Sequence, residues 1–177
     1  MHPTRIVLAA LVLPVAHLYA ELTPDQIKKL PSAAIEKQLP DEHPTSYYLY
    51  ASRLFTEGRK DDAVFWFYVG QLRYRVHLKA HPELDPSGDP AVFSSLSATM
   101  GRKFNEYAGG SIKDWVAAID RALKWDAATA NGFTSKKKYA KTYQEIRSGL
   151  KSMRDEVEAT ADSIRANRKK AGLEIRD

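Results

Sequence analysis

No cysteine occurs anywhere in the chain. That excludes a disulfide scaffold, a thiolate zinc centre, a cysteine nucleophile and a lipidated cysteine. Histidine is scarce, with five in 177 residues, which leaves little for histidine-based acid–base chemistry. No His-Glu-x-x-His pair, Gly-x-Ser-x-Gly elbow or glycine-rich phosphate loop is present, so the common signatures of metalloproteases, serine hydrolases and nucleotide binders are missing. Charge of one sign is not in large excess either. Twenty-seven Lys and Arg face 22 Asp and Glu, for a net charge of +5. The basic residues are spread out, and no nucleic-acid partner is expected. The one long uncharged apolar run spans residues 6–15, about half of the ~20 residues that a membrane span needs. The length suits one domain with a proper hydrophobic core.

What is there begins with a leader. Arg5 precedes the apolar run 6–15, and Leu18 and Ala20 follow at the positions of a small-residue cleavage site. These n-, h- and c-regions describe a secretory signal peptide over residues 1–20. The expectation is an exported, periplasmic protein whose mature part, 21–177, carries no membrane span. An uncleaved leader would instead anchor it at the inner membrane.

The remainder reads as one all-α domain, an irregular helical bundle. Thr23, Pro24 and Gln26 make an N-cap, an N1 proline and a capping-box partner. They open the first of two short helices within 21–40, at 24–30 and 33–39, each stopped by a proline. Pro44 opens a helix over 44–57 that Gly58 ends. Asp61 and Asp62 then sit where a helix dipole favours negative charge. The segment 63–70, Ala-Val-Phe-Trp-Phe-Tyr-Val-Gly, is apolar on every side and must be covered all round. Its continuation, 72–78, alternates apolar and charged residues as a strand would. It is read as helix because no second alternating run exists to pair with it. A second helix pair occupies 90–125, turning at Gly109 and Gly110. A long C-terminal helix is expected over 135–169. It has a seam of Tyr139, Tyr143, Ile146, Leu150, Met153, Val157 and Ile164, with Thr160 in the one gap. At ~1.5 Å per residue it would be roughly 50 Å long and overhang the body or meet another chain. Gly149 in its middle suggests close approach to a neighbour.

Candidate chemistry is thin. His77 and His81 stand four apart, with Glu83 and Asp85 following. The spacing permits a surface metal site, and it equally describes a solvated helix end, the reading adopted here. Asp61–Asp62 and Glu156–Glu158 are carboxylate pairs without the apolar frame that acid–base catalysis needs. An enzyme acting on the cell wall would require a buried carboxylate such as Glu106. No catalytic, cofactor-binding or metal residue is assigned, no cofactor is expected, and the chain is read as a non-enzyme. Basic residues near the aromatic segment (Arg53, Arg59, Lys60, Arg73, Arg75, Lys79) and the run Lys136–Lys138 fit an acidic partner or plain solvation. Positive charge at a helix start is unfavourable, so the run also fits a helix that begins later, near Tyr139.

Residues 47–70 carry a resemblance. Small Ala51, Ala63 and Gly70 alternate with Tyr47, Tyr50, Leu54 and Phe67 across the Gly58 turn. This rhythm resembles one tetratricopeptide or Sel1-like helical hairpin, placed within 41–80. Ala51 stands where such a unit has glycine, and its closing proline is missing near Arg75. With the leader, the 85–90 loop, the run Asn105-Glu-Tyr-Ala and the run 131–135, the whole chain is similar to periplasmic immunity proteins that neutralise type VI secretion toxins. The resemblance implies a binding protein that occludes a cognate toxin, and it carries no site residue with it. The alternative is an envelope scaffold or assembly factor that holds peptides through the hairpin. Partner, contact residues and oligomeric state are not readable from the sequence.

Overall fold

The computed structural model describes residues 22–177, so the leader expected over 1–20 lies outside the described residues. The order is α1 (Pro24–Lys29), α2 (Ser32–Gln38), a 3₁₀ turn (Leu39–Asp41), α3 (Thr45–Thr56), α4 (Lys60–Ala80), α5 (Asp89–Ala108), α6 (Ile112–Ala128), α7 (Ala140–Ala159) and α8 (Ala161–Lys170). No strand occurs among the described residues, and the all-α class stands. None of these helices is long and apolar enough to cross a membrane.

Local chemistry explains the boundaries. The Thr23 hydroxyl accepts the Gln26 N–H and the Gln26 side chain accepts the Thr23 N–H, a full capping box. α3 ends in a Schellman motif. Gly58 has φ +84°, its N–H donates to Phe55 O, and Arg59 N–H donates to Leu54 O. α3 and α4 therefore fold back as a hairpin. Their close approach is real, because a Cβ on Gly70 would lie 2.9 Å from Tyr47 Cβ.

α4 is the axis of the molecule. It packs against α3, α5, α6 and α7. That surround explains why every residue from Ala63 to Tyr74 is buried. The strand-like alternation of 72–78 is thus helix in which two of the three polar members, Arg73 and His77, also face neighbours, while Arg75 is exposed. Aromatic rings fill much of the space. Trp66 meets Trp125 at 5.1 Å, and Phe67 stacks on Phe104 at 4.8 Å.

The C-terminal expectation needs correction. Instead of one helix over 135–169, α7 begins at Ala140 and a break at Thr160 separates it from α8. Residues 135–139 form a turn because Lys136 folds inward, its ammonium donating to the Asp126 carbonyl. Thr160 turns its hydroxyl back onto Glu156 O at 2.7 Å, a bond known to bend helices. Nor does this arm overhang freely. Tyr143, Leu150 and Val157 bury the α7 seam, and the last residues return to the α5–α6 corner. There Arg176 N–H donates to Gly110 O at 2.6 Å, and its guanidinium lies 3.8 Å from the Tyr107 ring centre. Gly149 has open space around it, not a close neighbour.

Candidate functional site

Three features concentrate chemistry. The first is a buried ion cluster. Arg73, on α4, is 1% exposed, and Asp126, near the end of α6, is 0% exposed. All five Arg73 donors are satisfied. Nε donates to Asp126 Oδ1 at 3.3 Å, Nη1 to Tyr47 Oη at 2.8 Å and Pro40 O, and Nη2 to Ala130 O at 2.8 Å and Thr129 O. The guanidinium also lies 4.7 Å over the Trp125 ring. Asp126 Oδ2 accepts from Arg147 Nη1 at 2.8 Å and has Lys136 Nζ at 3.6 Å. Beside this cluster, Tyr143 donates to Thr134 O and accepts from Asn131, and burial pushes its phenol up to about 12.

The second feature joins three helix ends. His43, just before α3, and His77, late in α4, both aim Nε2 at Asp89, at the start of α5, at 3.2 and 2.8 Å. Tyr74 Oη donates to the same carboxylate at 3.2 Å. The ligating atoms of His43, His77 and Asp89 lie within 4.8 Å of one another, a donor set a divalent metal can use. The proton positions argue for a clasp instead. His43 Nδ1 accepts the Thr45 N–H at 3.2 Å, so the neutral ring carries its hydrogen on Nε2, pointed at Asp89. A metal on Nε2 would require that hydrogen on Nδ1, against a backbone donor. Burial holds His77 below the usual histidine range. Burial alone would raise Asp89, but hydrogen bonds from His43 and His77 outweigh it and hold the carboxyl low.

These positions correct the solvated-end reading for His77. His77 is 7% exposed and so is not part of a solvated helix end. His81 pairs with Glu83 at 3.1 Å, and Asp85 caps Ser87. The four are not assembled into one site. Glu106 is exposed, and the buried carboxylates among the described residues are Asp126 and Glu42. Sequence spacing could not find the clasp, since His43 and Asp89 are 46 residues apart.

The third feature is an open groove of about 510 Å³ between α4 and α6. Phe65, Trp66 and Trp125 form its floor, and Arg59, Arg121 and Lys124 stand on its rim. Arg121 stacks 4.6 Å over Phe65. Arg59 and Arg121 both hold Asp62, at 2.9 and 3.2 Å, which fixes the rim. Of the basic residues near the aromatic segment, Arg59 thus reaches this rim, whereas Arg73 is internal and Arg53 ties α3 to α1 through Ile27 O and Leu30 O.

Compared with family models, curated proteins and solved structures, the chain matches none.

Proposed function

We propose that the chain is an exported helical binding protein that neutralises a cognate toxin of a type VI secretion system by occlusion, without chemistry of its own. The observation that carries the binding part is the α4–α6 groove. Tryptophan, phenylalanine and arginine on a fixed scaffold are the residue types that dominate protein interfaces. The Arg73–Asp126 pair and the histidine clasp at Asp89 support the same reading, because these side chains are committed to holding helices together. The toxin and the compartment follow from the leader and from the resemblance to periplasmic immunity proteins.

The alternative, an envelope assembly factor that holds peptides, draws on a smaller apolar groove of about 370 Å³. It lies between α1 and α3 and is lined by Pro24, Ile27, Leu49 and Thr56 among others. This groove is on the outside of the hairpin, whereas the inner side is filled by core rings. Capture of the protein's partners from an envelope extract separates the two. The toxin reading expects one stoichiometric effector, and a deletion strain sensitive to siblings with an active secretion system. A broad set of envelope components, with no fitness loss in that competition, would overturn it.

A further inference from the structure

Around Asp126, three cations share one carboxylate. Arg73, Arg147 and Lys136 all converge on it. Arg73 is sealed inside, but Arg147 and Lys136 are 29% and 27% exposed and face outward. They open into a cleft of about 360 Å³ between α6 and the start of α7, lined also by Ala127, Tyr143 and Gln144. The carbonyls at the end of α6 supply about half a unit of negative charge. That still leaves more than one unit of positive charge unmatched. Arg147 spends only Nη1 on the protein, on Leu123 O and Asp126 Oδ2. Its Nε and Nη2 have no acceptor among the described residues. The surplus is also visible at Lys136. Burial lowers its pKa, Asp126 works against that, and Arg73 and Arg147 push it down further.

We infer that this cleft is a receptor for an anionic group, and that the group is an Asp or Glu carboxylate of the bound protein partner, seated between Lys136 and Arg147. A guanidinium edge with two unspent donor nitrogens matches a carboxylate, and the ammonium beside it adds a second, point-like contact. This identification of the partner's chemistry rests on the protein-binding reading above. It also gives Lys136, the first residue of the Lys136–Lys138 run, a place in the fold.

The test needs no partner. The purified protein is titrated with N-acetyl-glutamate amide and, separately, with inorganic phosphate, at constant ionic strength with chloride as the reference. Amide and Arg Nε signals are followed by NMR and melting temperature by circular dichroism. Saturable shifts at residues 136, 144 and 147 are expected with the carboxylate probe at millimolar concentration. At tenfold excess over Kd, Tm should rise by about 3–6 °C. Lys136→Gln and Arg147→Gln should each weaken the response at least tenfold, while Lys170→Gln, on the far end of α8, should leave it unchanged. Saturation by phosphate alone would overturn the carboxylate assignment. A response equal in all variants, or none, would overturn the site. A failed titration leaves toxin binding standing, and a missing toxin leaves the titration standing, so the two failures are told apart.

Discussion

Replacing Asp126 by Asn should be among the most damaging single changes in the protein. The substitution keeps the shape and removes the charge. Arg73 would then lie 1% exposed with no carboxylate, while Arg147 and Lys136 lose their shared counter-ion. Removing one partner of a buried ion pair costs about 3–5 kcal/mol, because an uncompensated charge stays behind. The four other acceptors on Arg73 remain, which places the loss toward the lower end. For a domain of this size each kcal/mol moves Tm by ~2–4 °C, so a fall of roughly 6–12 °C is expected. Arg73→Met tests the other side. Asp126 would keep Arg147 at 2.8 Å, but Tyr47, Pro40, Thr129 and Ala130 would lose a donor. The double variant should cost less than the sum of the singles by ~1.5 kcal/mol or more, the mark of direct coupling. Urea unfolding followed at 222 nm gives all three values. An Asp126→Asn protein within ~1 kcal/mol of the parent would refute the claim that this carboxylate neutralises the core.

Two glycines should respond in opposite directions. Gly149→Ala meets open space in an α7 turn and should stabilise by about 0.5–1 kcal/mol in urea titrations. Gly70→Ala places a methyl 2.9 Å from Tyr47 Cβ and 3.2 Å from the Tyr48 ring, and should destabilise by ~1–3 kcal/mol in the same assay. The clasp sets a pH dependence. Because the folded chain holds His77 below the usual histidine value, its contribution is complete above pH ~6.5 and is lost as pH falls through that range toward the folded value. Thermal melts from pH 7.5 to 5.5 should therefore show a falling Tm, with a shallower slope in His77→Asn. A slope unchanged by that substitution would count against the histidine.

Signals contained in a few neighbouring residues were readable. Thr23, Pro24 and Gln26 announce α1, and Gly58 announces the hairpin turn, because capping depends on contacts within one or two turns. The apolar run 63–70 also foretold an axis covered on all sides. What failed were properties set by distant partners. The C-terminal seam continues through Thr160, and only the hydroxyl bonding back to Glu156 marks the break. Lys136 looks like one lysine of a solvated run until α6 brings Asp126 beside it. Gly149 suggested a neighbour that is absent, since a helical glycine carries no statement about which side is crowded. The clasp draws His43, His77 and Asp89 from three helix ends, and no local rhythm encodes such a meeting.

The distribution of charge gives α6 its central part. One flank of this helix contributes Arg121, Lys124 and Trp125 to the open groove, and Asp126 and Ala127 belong to the cleft beside α7. Trp125 lies under the Arg73 guanidinium and against Trp66, so the groove floor and the ion cluster share a side chain. A helix end held by a buried carboxylate with three cations has little freedom to shift. That rigidity matters for a binding surface, because side chains already in place lose less entropy when a partner arrives. The internal ion pair and the external groove are therefore one construction. Asp126 fixes the end of α6, α6 carries Arg121, Lys124 and Trp125 into the groove on one flank, and Lys136 and Arg147 meet Asp126 at the cleft on the other.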